Sequence, residues 1–379
     1  MTRSEKITLF ILTTLTLLLA AYVFRLYLGI WKRPLGPTLQ ISTIIPIGMP
    51  PTWTPPPATP ALDSAKQTPP SPTPTPLNGL CNAPATVHIL LIGSDARGDT
   101  YTYGLADVIR LVRVEFATPR VSILEFPRDL WVEIPDIADN LNGQKHAKLN
   151  QAYLYGNPGF GYTNDPAQGP GLLARTLTLN FGTRIDHYAA INMHTFVKIV
   201  NALGGIDVYL PEPVDGRTAE DTNDRLFFRA GWLHLDGTRA LTLARIRIEG
   251  SFARADNQNR VLCALRDKLT RPEIITKLPE LIHAFKGSIQ TDLSPEQISQ
   301  LACIGTQIKP QDIHFLSFPE EHFKPSRVYD PTFKKKVFIW EVDFEILRKY
   351  VQQFNEGTWF ASQFSVGGGE PQENTVVCP

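Results

Sequence analysis

The chain has 379 residues, of which 37 are basic and 37 acidic, so its formal net charge is zero. A chain of this length buries a core readily, in one large domain or two ordinary ones. Zero net charge removes the general electrostatic case for nucleic-acid binding and leaves local basic clusters as the more telling feature.

In chain order, residues 1–6 read as a short cytoplasmic tail. Residues 7–23 (ITLFILTTLTLLLAAYV) carry no charge. Extended to residue 31 they reach the length of about twenty apolar residues that spans a bilayer. Arg25 can snorkel to an interface. The stretch is long for a signal-peptide core and no clear small-residue cleavage pattern accompanies it, so an uncleaved anchor over 7–31 is expected. Arg3 and Lys6 favour an inside N-terminus, and Arg25, Lys32 and Arg33 oppose it. Residues 32–80 form a Pro/Thr-rich linker, with runs such as Pro50-Pro-Thr-Trp-Thr-Pro-Pro-Pro57. Proline fixes φ and donates no backbone hydrogen bond, which makes the linker an extended, semi-rigid tether.

The four cysteines, Cys81, Cys263, Cys303 and Cys378, all follow the anchor and none forms a close pair of metal-ligand type. This argues against zinc and for two disulfides in an exported domain. Three connectivities exist. The preferred one joins Cys81 to Cys378, which flank the globular region, and Cys263 to Cys303, which lie in successive helix-like segments.

Strand patterns occur at 87–93, 108–116, 121–126 and 205–210, and helical spacing at 171–179, 193–203 and 260–269. The alternation predicts an α/β/α layered domain with a central mixed sheet over residues 81–270. Residues 271–379 read as a mostly helical C-terminal extension packing on that domain. Its helical pieces are 273–285, a capped start at Asp292-Leu-Ser-Pro-Glu-Gln297 and the amphipathic 344–354. There is no repeat, P-loop, Gly-x-Ser-x-Gly elbow or paired-His motif. His146, His187, His194, His234 and His283 share no spacing and receive no chemistry.

Chemistry-bearing residues gather at strand ends. Asp95 follows an apolar strand and a Gly-Ser turn, and Asp107 precedes the next strand. Taken alone, each reads equally well as a turn residue. At the ends of two neighbouring strands they form a pair suited to a hard divalent cation. Arg128 lies in Pro127-Arg-Asp129. Arg245 and Arg247 alternate in an apparent strand, which puts both on one face, where they suit phosphate oxygens. Lys148 and Asn150 stand at a helix start, where Asn150 also reads as a cap.

These segments resemble the LytR-CpsA-Psr family of cell-wall glycopolymer transferases. Gly93-Ser-Asp-Ala-Arg97, Phe126-Pro-Arg-Asp129, Lys148-Leu-Asn-Gln-Ala-Tyr153, Ile185-Asp-His-Tyr188, Leu203-Gly-Gly-Ile-Asp-Val208 and Arg245-Ile-Arg247 with Ser251-Phe-Ala-Arg254 and Gln258 occur in the family's order, over about half the chain. The resemblance implies a deep apolar cavity for a polyprenyl chain, with Mg2+ held at its mouth by Asp95 and Asp107. It implies catalytic roles for Asp95, Asp107 and Arg128, and substrate binding by Arg97, Lys148, Asn150, Arg245, Arg247, Arg254 and Gln258. The reaction implied is phosphoryl transfer from a polyprenyl-pyrophosphate-linked glycopolymer to peptidoglycan, at the outer face of the membrane. Leu105, Ser251 and Asn257 depart from the family pattern, Leu105 standing where an arginine is usual. Arg110, three residues beyond Asp107, is not set on the same side by strand alternation. These departures keep open a noncatalytic saccharide-binding protein and a polyprenyl pyrophosphatase as alternatives.

Overall fold

The computed structural model describes residues 3–41, 79–96, 101–137, 143–246, 251–276, 280–281, 285, 287–359 and 378. The linker core (42–78), most of 277–286 and the Gly367-Gly-Gly-Glu-Pro tail lie outside these residues.

Long apolar runs with β-branched residues build the centre of the sheet. Strand β1 (Thr86–Ser94) pairs antiparallel with β2 (Ala106–Glu115), which pairs antiparallel with β3 (Arg120–Glu125). Short β4 (Trp131–Glu133) and β5 (His146–Lys148) pair with each other beside the sheet. Strand β6 (His187–Asn192) runs parallel to β1 on its other side. The ribbon of β7 (Ile206–Leu210) and its later partner, and the small pair β8 (Val214–Asp215) and β9 (Phe227–Phe228), precede β10 (Gly231–Leu235), which completes the β7 ribbon.

Helices cover both faces, which is why the central strands read as near-continuous apolar sequence. Helix α1 (Arg3–Lys32) comes first. On one face, Leu90, Ile92, Ile109 and Leu111 pack with residues of α2 (Leu149–Gly156) and α3 (Gln168–Phe181). Over the other lie α4 (Met193–Ala202), α5 (Gly237–Arg245) and α6 (Ser251–Leu269). There Val200, Ile206, Leu243 and Val261 form one cluster, and Ile89, Val112 and Cys263 another. The expected α/β layering and mixed sheet are therefore present.

The C-terminal segment departs from expectation. After short α7 (Pro272–Ile275), strand β11 (Gln290–Thr291) extends the sheet beside β6. Helix α8 (Pro295–Gly305) follows, closed by the predicted capping box, in which Ser294 and Gln297 serve each other's backbone N–H. Strand β12 (Ile313–Leu316) then adds parallel to β3, giving the order β11-β6-β1-β2-β3-β12. A hairpin of β13 (Lys324–Asp330) and β14 (Lys335–Glu341) leads to α9 (Phe344–Glu356), whose Leu347, Val351 and Phe354 complete the first core. Over its described residues the segment after 270 thus carries four strands beside its helices. Its short strands Gln290–Thr291 and Ile313–Leu316 supply sheet edges.

The disulfides also differ from the preferred pairing. Cys81 joins Cys303 and Cys263 joins Cys378, with Cα separations of 6.0 and 5.5 Å. The turn at Cys81 lies against α8, where Gln300 donates to the Asn82 carbonyl at 2.8 Å, so Cys303 is its neighbour in space. Cys263 and Cys378 are both buried in the apolar cluster above β1 and β2.

Among the described residues, no helix is long and apolar enough to cross a membrane. The side chains of residues 3–11, 23–24 and 26–28 of α1 lie outside the described set. Beyond α1 the chain docks on the domain. The Leu35 N–H donates to the Leu293 carbonyl at 3.2 Å, and the Tyr188 hydroxyl donates to the Pro37 carbonyl at 2.9 Å.

Candidate active site

The carboxyl end of β1 and the start of β2 meet at an irregular register. Gly93 pairs with Val108 but Ser94 pairs with Ala106, so Asp107 is an extra residue, a β-bulge. The bulge reverses strand parity. Ala106 joins Ile109 and Leu111 in the core beneath the sheet, while Asp107, Val108 and Arg110 all line a cavity above it. Gly93 permits the approach, since a Cβ there would sit 2.9 Å from the Val108 Cβ.

Residues 101–105, ahead of β2, fold back over this end. The Asp95 Oδ1 accepts from the Leu105 N–H at 2.6 Å, and the Asp95 N–H donates to the Leu105 carbonyl at 3.1 Å. A Cβ on Gly104 would meet the Ser94 Oγ at 2.5 Å, so only glycine lets the loop lie this close. The Tyr101 hydroxyl pins the loop's start, donating to the Ser288 carbonyl at 2.6 Å. Burial pushes that phenol above its ordinary pKa. Asp95 and Asp107 thereby stand at adjacent strand ends.

Arg128 reaches this point from the loop after β3. Its guanidinium forms an ion pair with Asp107, and its Nε lies 3.3 Å from Asp129. Burial alone would lower the Arg128 pKa, but the two carboxylates together hold it above its usual range. Arg128 and Asp107 are only 21% and 17% exposed, so the pair is screened less than a surface one. Lys148 joins the same network, its Nζ 2.7 Å from Asp129. The Asn150 N–H donates to the Arg128 carbonyl at 3.1 Å, and its buried side-chain oxygen has no protein partner.

The cavity lies between β1, β2 and β6 and helices α4, α5 and α6, with a volume of about 220 Å³. Leu91, Ala189, Ile191, Phe196, Leu241 and Val261 contribute to its apolar wall, and Asp107, Arg110, Asn192, Arg245 and Gln258 are its charged and amide groups. Arg245 is the last residue of α5 and is exposed at the rim. The apparent strand around Arg245 is therefore not formed over its described residues, 243–246. Leu243-Ala-Arg instead ends an amphipathic helix capped at Asp236, because Ala240 and Leu243 follow helical rather than strand spacing. Arg97 and Arg247 lie outside the described residues. Arg254 lies on α6 but its side chain is outside the described set.

Two residues change the reading of the departures. Leu105 packs partly buried against the core cluster beneath the sheet. Arg110, which alternation set apart from Asp107, lines the cavity with it and is 1% exposed. An arginine between the apolar residues Ile109 and Leu111 of a central strand was itself a signal, because such a residue is almost never fully buried without partners. Its partners Glu125 and Asn259 were also missed, and nothing in their spacing pointed to the site.

No group of three or more His, Cys, Asp or Glu side chains gathers to hold a metal among the described residues. Mg2+ commonly takes only one or two carboxylates, with the rest of its shell from phosphate and water. Asp95 and Asp107 each offer a hard carboxylate oxygen of that kind, one bound to the Leu105 N–H and the other to Arg128.

The model of the LytR_cpsA_psr family matches residues 61–349. The chain belongs to that family. Among LytR_cpsA_psr relatives, it is 30% identical over 229 residues to the polyisoprenyl-teichoic acid–peptidoglycan teichoic acid transferase TagU of Oceanobacillus iheyensis, covering 59% of this chain and 64% of the relative. To the polyisoprenyl-teichoic acid–peptidoglycan teichoic acid transferase TagV of Bacillus subtilis it is 27% identical over 208 residues, covering 54% and 49%. The matches thus span from about half to just under two thirds of these relatives' length. The crystal structure of B. subtilis TagV superposes with a TM-score of 0.54 at 23% identity, covering 72% of this chain and 97% of that one. TagT bound to LIIa-WTA superposes with a TM-score of 0.52 at 21% identity, covering 72% and 91%. At these identities the structural likeness speaks for the fold.

Proposed function

We propose that this chain transfers a glycopolymer from a polyprenyl-pyrophosphate carrier to peptidoglycan, assisted by Mg2+ at Asp95 and Asp107. The observation that carries the reading is the cavity itself. An apolar interior is closed at one region by Asp107, Arg245 and Gln258, with Arg128 paired to Asp107. An apolar chain ending in a pyrophosphate has this division of chemistry. The volume exceeds that of the roughly 150 Å³ apolar cavity known to bind benzene, so it takes a short run of the prenyl chain next to the phosphates. The names of the relatives, which act on polyisoprenyl-linked teichoic acid and peptidoglycan, support the same substrate classes.

In this reading a sugar hydroxyl of peptidoglycan attacks the sugar-side phosphorus. The bond from that phosphorus to the bridging oxygen breaks, polyprenyl phosphate leaves, and the hydroxyl proton is released. Arg128 and Arg245 offer donors to phosphate oxygens on which charge builds, and the Gln258 amide adds a neutral one. Asp107 holds Arg128 in place, while Asp95 ties the loop through Leu105. Mg2+, when bound, supplies further positive charge to the pyrophosphate.

The enzyme is proposed to be membrane-tethered, with its domain outside the cytoplasm, organised as tail 1–6, anchor 7–31 and linker 32–80. Two disulfides support an oxidising compartment. In α1, Leu15, Leu17, Leu18 and Leu19 are each more than 60% exposed, as suits a helix surrounded by an apolar medium.

The test is incubation of the full chain with a polyprenyl-pyrophosphoryl saccharide, Mg2+ and peptidoglycan fragments. Saccharide joined to the fragments through phosphate is the expected product. Free phosphorylated sugar would mean a pyrophosphatase, and binding without turnover a noncatalytic saccharide-binding protein.

A further inference from the structure

A guanidinium in the middle of a central strand is costly to bury, and Arg110 is held by three acceptors from two elements. Its terminal nitrogens lie 2.7 Å from the Glu125 carboxylate, 2.5 Å from the Asn259 Oδ1 and 3.2 Å from the Gln258 Oε1. Glu125 ends β3, whereas Gln258 and Asn259 belong to α6. Arg110 therefore joins the sheet to the helix that forms one wall of the cavity.

The chemistry of the third bond carries a consequence. Arginine donates and cannot accept, whereas a glutamine amide has a distinct end for each role. Facing Arg110, Gln258 must present its oxygen. A flipped amide would set two donors against each other. The Gln258 nitrogen is consequently turned away, where it donates to the Ala244 carbonyl at 3.2 Å, next to Arg245. That bond uses one of the two N–H groups of the amide. Gln258, Ala244 and Arg245 all line the cavity.

We propose that Arg110 is a positioning residue for the donor pyrophosphate, fixing the Gln258 carboxamide so that its N–H serves a phosphate oxygen beside Arg245. This deepens the transferase reading and rests on it for the identity of the ligand. The bland alternative has the same bonds, with Arg110 only stitching β2, β3 and α6 together. The two differ in coupling. If Arg110 acts through Gln258, removing either group removes the same interaction. If it only stitches, the losses are independent.

The test uses the full chain in detergent and geranylgeranyl pyrophosphate as the probe, with geranylgeraniol as the phosphate-free control. Arg110→Met and Gln258→Ala should each weaken pyrophosphate binding about tenfold, as loss of one well-placed phosphate donor does. The double variant should be no weaker than the poorer single variant, and geranylgeraniol should bind all of them alike. Arg110→Lys retains a charge opposite Glu125 and guards against misfolding of the methionine variant. A compact lysine ammonium cannot span these acceptors as the planar guanidinium fork does, so it should lose several-fold and show the same non-additivity with Gln258→Ala. An Arg110 variant within twofold of the parent overturns the proposal. So does an additive, roughly hundredfold loss in the double variant, or an equal loss of geranylgeraniol binding. Because the readout is binding, parent protein that binds the probe but never transfers saccharide overturns the transferase reading and leaves this assignment standing. A parent with no affinity for the probe overturns both.

Discussion

Replacing Cys263 and Cys378 together by alanine removes the bridge that pins the C-terminal end of the chain to α6. The bridge spans 115 residues. In the chain-entropy model, closing a loop of that length removes about 16 cal/mol/K from the unfolded ensemble, or about 5 kcal/mol at 25 °C. Native bridges deliver somewhat less than this ceiling on average, so the expected loss is about 2–5 kcal/mol, with Tm falling on the order of 10 °C. Both sulfurs are buried, 3% and 4% exposed, and their removal also thins the apolar cluster around Val112 and Ile304. Because Gln258, Val261 and Leu262 on the same helix line the cavity, donor binding should weaken along with stability. Urea unfolding of oxidised parent and variant measures the first effect, and a non-reduced peptide map checks the bridge directly. A variant within about 1 kcal/mol of the parent would refute the entropic reasoning. Recovery of a Cys263–Cys303 peptide would refute the pairing, and four alkylatable thiols in protein from native cells would remove the support for an oxidising compartment.

Asp107→Asn should abolish transfer, by on the order of a hundredfold or more, and remove its dependence on added Mg2+. Its Tm should change little, because Arg128 keeps Asp129 as a partner; retention of Mg2+-dependent turnover would refute the site. Ala244→Leu should narrow the cavity and weaken prenyl-pyrophosphate binding while leaving a soluble inorganic pyrophosphate unaffected, as paired titrations would show. Asp186 supplies a pH test. Burial pulls its pKa up, but the His88 backbone N–H at 2.8 Å, the His88 ring at 3.3 Å and nearby Arg184 hold it below the usual carboxylate value. A depressed folded pKa contributes stability that is complete above the unfolded value of about 4 and is lost as pH falls through the folded one. Asp186→Asn should therefore lower stability at neutral pH and flatten the acid limb of a stability–pH curve; an unchanged acid limb would count against the linkage.

The central fold was legible where pattern and burial agree. Residues 87–93, 108–116 and 121–126 are apolar runs because helices cover both sides of β1, β2 and β3, and the helices at 193–203 and 260–269 show their spacing openly. The sheet edges were not legible. Gln290–Thr291 is too short to show a period, and Ile313–Leu316 gains its strand identity from parallel pairing with β3, a contact made across nearly two hundred residues. Cysteine pairing failed for a related reason, since Cys81 meets Cys303 only after α8 is laid beside the first turn of the domain.

The site shows where reading by alternation stops. In a regular strand, Asp107 and Arg110 are an odd number of residues apart and face opposite sides. Ala106 and Ile109 are separated by the same interval yet share the lower core, so the strand has lost one step between them. That step is the bulge at Asp107, and no residue type in Leu105-Ala-Asp-Val-Ile-Arg110 announces it. Its cause lies on the neighbouring strand, where Gly93 lets the Val108 side chain approach and Asp95 clamps Leu105 through both backbone and side chain. One irregularity brings an acidic group and a buried guanidinium into the same cavity. Arg110, three residues beyond Asp107, reaches the cavity wall on the side that the bulge, not the sequence period, selects, and Glu125 balances its charge there.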